Sequence, residues 1–216
     1  FDTAADFAPI SIIASVPELL VAHPSVPFDT LDGMLKYAKA NPGKLNYSSA
    51  GTGTLPHVTM ELLLRRADVQ VAHVAYKGAA PALVDLLAGV VQLKYDTYAI
   101  SAQHLAAGKL KVLATAGTTR LPQLPNVPTV AESGFPGYQG YLWIGAIAPA
   151  KTPAEAITTL YAAFSKAVKS PKVADRLRAD GVEVVGSTPE QFAKVIADEL
   201  KLWAQVVRDA KITVSE

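Results

Sequence analysis

Between two regular segments the sequence gathers small, polar and conformationally free residues: Ser49-Ala50-Gly51-Thr52-Gly53-Thr54. Leu45–Ser48 reads as a short strand, and helical spacing runs from Thr54 to Arg66, so the motif is a strand-to-helix turn. Such a turn suits an anion. Glycines let the backbone approach a ligand closely. The first turn of a helix presents N–H groups with no internal acceptor and a partial positive charge. Ser49, Thr52 and Thr54 can add hydroxyl donors. The motif lacks the Gly-Lys-Ser/Thr ending of a P-loop, and Pro56 stands where a dinucleotide-binding turn needs its third glycine. A tight turn with Thr54 capping the helix accounts for the same residues.

Tyr76-Lys77-Gly78-Ala79-Ala80-Pro81 is a second turn of this kind, between a strand at Val71–Ala75 and a helix at Ala79–Ala88. The N–H groups of Gly78, Ala79 and Ala80 are expected to be free there, and Lys77 is either a counter-charge or an exposed lysine. In a parallel sheet both turns fall at the carboxyl edge of the strands, where ligands usually bind. Two anion-binding turns on one edge imply a ligand with two anionic groups, or one held very firmly. Asp96, in the third equivalent turn, can accept from a ligand or cap the next helix. His57 follows the glycine turn and can reach a ligand or bond to the turn itself. Ser49, His57 and Asp96 together are the residue types of a hydrolytic triad, but no Gly-x-Ser-x-Gly elbow surrounds Ser49.

Composition narrows the remaining classes. Of 216 residues half are hydrophobic and 18% charged, which describes a folded chain. The formal charge of +1, with no basic run, gives nucleic acid no purchase. With no cysteine, disulfides, thiol catalysis and cysteine-ligated metals are excluded, and the histidines (23, 57, 73 and 104) form no helical metal pair. No metal or cofactor is expected. No run of 18 apolar residues is present.

The elements that position the turns alternate strand and helix, which predicts an α/β fold with a mainly parallel sheet and helices on its faces. Two strands, Phe7–Ala14 and Glu18–Ala22, flank Pro17, and a helix follows at Thr30–Ala40. Strands at Val91–Tyr95 and Leu110–Ala116 enclose a short helix ending at Gly108. Residues 117–140, rich in Pro and Gly, read as a long ordered loop with one short helix near Val130. Tyr141–Ala148 is a strand. Helices then start at Thr152, as cap before Pro153, at Ser170-Pro171, and at Thr188 with Gln191 closing a capping box. Ile157, Leu160, Tyr161, Phe164 and Val168 line one helix, and Phe192, Val195, Ile196, Leu200, Trp203 and Val207 the last.

Jointly, several segments resemble the TctC or Bug family, the extracytoplasmic solute receptors of tripartite tricarboxylate transporters. They are Asp6-Phe7-Ala8-Pro9-Ile10, Asn41-Pro42-Gly43-Lys44-Leu45-Asn46-Tyr47, the glycine turn with His57, Tyr76-Lys77-Gly78-Ala79-Ala80-Pro81, and Leu124-Pro125-Asn126-Val127-Pro128-Thr129. The resemblance implies a periplasmic-binding-protein-like (type II) fold with two α/β lobes. Residues 15–142 would form a complete ligand-binding lobe, and 1–14 with 143–216 the remainder of the other. It implies no enzymatic activity, a periplasmic location, membrane transporter subunits as partners, and a small carboxylate ligand: a di- or tricarboxylate, an acidic amino acid or an aromatic acid. The ligand would be held by Ser49, Gly51, Thr52, Gly53, Thr54, His57, Lys77, Gly78, Ala79, Ala80 and Asp96. The chain departs from the family pattern at Val90, Gln92, Thr97 and Lys151. It also starts where the family is already inside its first lobe, so self-association through an incomplete lobe is a further expectation. A sensor or interaction domain of the same fold, with no ligand, is the alternative.

Overall fold

The computed structural model describes residue 2 and residues 5–213. The chain divides into two compact units: Phe1–Val16 with Leu142–Gln205, and Pro17–Tyr141 with Val206–Glu216.

The second unit carries both glycine-containing turns. Its sheet has the order β3-β2-β4-β1-β5, built from β1 (Phe7–Ala22), β2 (Asn46–Ser49), β3 (Ala72–Ala75), β4 (Leu93–Thr97) and β5 (Lys111–Thr115). β2 runs parallel to β3 and β4, while β1 lies antiparallel between β4 and β5. The sheet is therefore mainly parallel with one reversed strand. Leu19, Leu20, Val21 and Ala22 of β1 are all fully buried, so both sheet faces are covered. On one face Leu19 and Val21 join Leu86, Val91, Leu110 and Leu121 in a single core.

The helices are α1 (Leu31–Ala40), α2 (Leu55–Arg66), α3 (Ala79–Leu87) and α4 (Tyr98–Ala106). Thr30 caps α1 by accepting from the Gly33 amide at 3.0 Å. The expected helix near Val130 is not formed. Thr115 and Thr129 make an isolated parallel bridge, and Thr129 and Glu132 then close one turn, amide to side chain, in both directions. Gly134, Pro136 and Gly137 follow and stop it from propagating.

β1 is one strand of 16 residues, not the two expected around Pro17. Proline lacks a ladder donor, so it is tolerated where a strand changes partners. Before Pro17, Ala14 and Ser15 pair with β7 (Glu183–Val184); after it, Glu18 pairs with Thr97 of β4.

In the first unit β1 pairs with β6 (Tyr141–Pro149) as well as with β7. The helices are α5 (Ala154–Val168), α6 (Pro171–Ala179) and α7 (Pro189–Asp209). Pro153, not Thr152, is the N-cap residue of α5, and no side chain caps that helix. Thr188 behaves as expected: its hydroxyl accepts from the Gln191 amide, and Gln191 Oε1 accepts from the Thr188 amide. Phe192 is fully buried and meets Trp143 edge-on at 5.1 Å. Leu160 and Leu200, expected in buried stripes, are exposed, as are Leu142 and Ile144 of β6.

Candidate functional site

β2, β3 and β4 all end at one edge of the sheet, and α2, α3 and α4 begin there. The turns after β2 and β3 are bonded together. Tyr76 donates its amide to the Ser49 carbonyl at 3.1 Å, and Gly78 donates to Ala50 at 3.1 Å. Two helix N-termini are thereby fixed side by side, each adding a partial positive charge to the same edge.

The side chains of Ser49, Thr54 and His57 build the first turn. The Ser49 hydroxyl donates to the Gly51 carbonyl at 3.0 Å and accepts from the Gly51 amide at 3.2 Å. The Thr54 hydroxyl does not cap α2; it donates to the Gly51 carbonyl at 2.6 Å. The Gly53 amide donates to His57 Nδ1 at 2.9 Å, so the proton of that ring sits on Nε2. Gly51 and Gly53 adopt φ of 143° and 80°, which a side chain would strain. Ser49 and His57 are buried, whereas Thr52 and Gly53 reach the surface.

What remains open at this edge is backbone. Among the described residues, no acceptor takes the amides of Thr52 or of Leu55, the first residue of α2. The same holds for Ala79 and Ala80 in the first turn of α3, where Pro81 has no N–H to offer. The Gly78 amide, expected to be free, is closed on Ala50: its φ of 115° turns it into the neighbouring loop. Lys77 is exposed, with no ion-pair partner among the described residues.

Asp96 is neither exposed nor a helix cap. Thr97 is the N-cap residue of α4, and Asp96 Oδ1 accepts the Thr97 amide at 2.8 Å. Its Oδ2 lies 2.6 Å from Lys94 Nζ, and both side chains are almost wholly buried. Lys94 Nζ also donates to the Tyr95 carbonyl at 3.2 Å. Glu18 is buried nearby, with its Oε2 unpaired among the described residues. Burial pushes the Glu18 carboxyl up to about 8, against the pull of Thr59 and Lys94; Asp96 raises it further.

Ser49, His57 and Asp96 do not form a triad. Ser49 Oγ lies 2.7 Å from Nε2 of His73, a residue that the sequence reading passed over. The signal for it was strand parity: His73 stands opposite Tyr47 in the β2–β3 register, on the face that also carries Ser49. The His73 ring stacks on His57 at 3.7 Å and on Tyr47 at 4.8 Å, and the Tyr47 hydroxyl donates to Glu61 at 2.7 Å. No carboxylate pairs with His73 among the described residues, and Ser49 is fully buried, so this pair is not an exposed nucleophile.

Comparison with known proteins places this arrangement in context. A family model described as "Tripartite tricarboxylate transporter family receptor" matches residues 1–212. A UPF0065 protein from the tcbD–tcbE intergenic region of Pseudomonas sp. strain P51 is 35% identical over 212 residues, which cover 98% of this chain. The chain spans 63% of that relative's length. A Rhodopseudomonas palustris protein, Rpa4515, solved with adipate, superposes with a TM-score of 0.87 at 34% identity, covering 99% of this chain and 71% of that one. MatC from Rhodopseudomonas palustris, solved with bound malate, superposes with a TM-score of 0.83 at 31% identity, covering 96% of this chain and 71% of that one.

Proposed function

We propose that this chain, which belongs to the tripartite tricarboxylate transporter receptor (TctC) family, captures a small dicarboxylate at the carboxyl edge of β2, β3 and β4. The observation that carries the reading is the pair of bonded turns, which leaves the Thr52, Leu55, Ala79 and Ala80 amides open at adjoining helix N-termini. Amides in this position favour anions by charge and by hydrogen bonding. Thr52 adds a hydroxyl, and Lys77 a mobile counter-charge. Ser49, Gly51, Gly53, Thr54, His57 and Gly78 shape the turns, and the Lys94–Asp96 pair anchors β4, which ends beside the first of them.

Adipate and malate, the molecules in the two superposed structures, are both dicarboxylates. On this reading the chain is a receptor without turnover, with a lobe near residues 15–142 supplying these turns. Its partners are the membrane subunits of a tripartite transporter, and its place is the periplasm. Neither metal nor cofactor takes part.

A thermal-shift series tests the function. Adipate, malate, succinate and citrate are compared with the neutral diamide of adipate. At a hundredfold excess over Kd a ligand that binds only the folded state stabilises it by about 2.7 kcal/mol. The reading expects a concentration-dependent rise with at least one acid and none with the diamide. No rise with any acid, or an equal rise with the diamide, contradicts it.

A further inference from the structure

Beneath the glycine turn the two imidazoles form a device that a ligand does not have to touch. His57 supplies the acceptor for the Gly53 amide at 2.9 Å. His73 holds Ser49 at 2.7 Å, and Ser49 in turn closes on both polar groups of Gly51. The two rings stack at 3.7 Å with their planes 13° apart, and the Tyr47 ring lies 4.8 Å from His73 and 6.2 Å from His57. Two of the turn's glycines are thus fixed through one stacked pair.

We propose that His57 and His73 are positioning residues for the anion-binding turn, which holds its geometry only while both rings are neutral, so that acid loosens the turn and releases the ligand. This rests on the dicarboxylate reading given above.

The chemistry follows from the acceptor role. A protonated His57 carries hydrogen on Nδ1 and opposes the Gly53 amide instead of accepting from it. Protonating both rings would set two cations face to face at 3.7 Å. The groups facing the stack are Tyr47 of β2, Ser49 at its end, and Glu61 of α2. Glu61 favours the charged form of His57, but burial outweighs it and lowers that ring's pKa. Burial, and then the neighbouring His57, lower His73 to about 4. The sign is therefore fixed: the neutral stack is intact above the ordinary imidazole value near 6.5 and is lost as pH falls towards about 4.

The test has a ligand-free arm and a ligand arm on the whole chain. Nitrogen-15 NMR of the unliganded protein reads the imidazole tautomers and the Gly53 amide between pH 7.5 and 4. We expect His57 as the Nε2–H tautomer, and a Gly53 amide shift that moves with the protonation of the stack. In the ligand arm, adipate affinity is measured for the wild type, His57→Phe and His57→Asn. Phenylalanine keeps the stack and loses the acceptor; asparagine places an oxygen near the position of Nδ1 and does not titrate. His57→Phe is expected to bind at least tenfold more weakly than the wild type at pH 7.5, with His57→Asn recovering at least half of that loss on a logarithmic scale. Wild-type affinity should fall at least twofold more than that of His57→Asn between pH 7 and 4, a difference that cancels the titration of adipate itself. An Nδ1–H tautomer, a Gly53 amide indifferent to the titration, or equal affinities of wild type and His57→Phe overturns the proposal. Failure of the wild type to bind any dicarboxylate defeats the functional reading instead, and the NMR arm still decides the role of the stack.

Discussion

Replacing Lys94 by methionine removes one partner of a charge pair that water does not reach. The Lys94 and Asp96 side chains are 2% and 3% exposed, and their charged atoms are 2.6 Å apart. Breaking such a pair costs about 3–5 kcal/mol, because the surviving charge is left buried and uncompensated. Two features place Lys94→Met towards the upper part of that range. Lys94 also loses its bond to the Tyr95 carbonyl, and the buried Glu18 nearby offers Asp96 another carboxyl rather than a cation. For a chain of this length about 1 kcal/mol corresponds to 2–4 °C, so a Tm loss of roughly 6–20 °C is expected. Urea unfolding followed by circular dichroism supplies the free energy, and Asp96→Asn with the double variant completes a cycle. Asparagine keeps an acceptor for the Thr97 amide. The double variant should be more stable than the sum of the singles predicts by at least about 1.5 kcal/mol, within the range of coupling for residues in contact. A cost below about 1 kcal/mol for Lys94→Met, or additive singles, would refute the buried pair as drawn.

Two further outcomes follow from single groups. The folded chain keeps the Glu18 proton up to about pH 8, whereas the unfolded chain loses it near the ordinary 4.5. Stability linked to this group is therefore full below pH 4.5 and declines as pH rises through 8. Glu18→Gln should flatten that decline and be the more stable protein at pH 9, by on the order of a few kcal/mol; a wild type with the same pH slope as the variant contradicts this. In the first unit, Thr188→Ala removes the capping bond at the start of α7 and should cost about 1 kcal/mol, with Thr188→Ser restoring most of it. Equal stabilities of the alanine and serine variants would show that the bond contributes nothing.

The sequence carried the alternation of strands and helices well, because the apolar spacing in α1, α2 and α3 matches a helix and Asn41, Gly78 and Gly89 punctuate it. It misread Pro17 as a break, since nothing local shows that β1 changes partners there and needs no donor. Thr152 has the right residue type for a cap, yet the helix begins one residue later than that role requires. At the site, the glycine turns and their helix N-termini were legible from local chemistry alone. The uses of their polar groups were not. Which hydroxyl turns inward depends on neighbours distant in sequence: His73 for Ser49, Ala50 for the Gly78 amide. Lys94 and Asp96, two apart in a strand, share a face by strand parity, but only the packing shows that this face is closed.

The central claim is that backbone amides at two joined helix N-termini hold the ligand. Ala79→Pro tests it most directly. Proline is well tolerated at the first position of a helix, so the substitution deletes one amide and leaves α3 able to form. Calorimetric titration of the wild type and Ala79→Pro with adipate compares them at pH 7.5. A hydrogen bond to a charged group is worth about 1.5–3 kcal/mol, so the variant should bind roughly ten- to a hundredfold more weakly at an unchanged Tm. An unaltered affinity in a folded variant would place the carboxylate somewhere other than this edge.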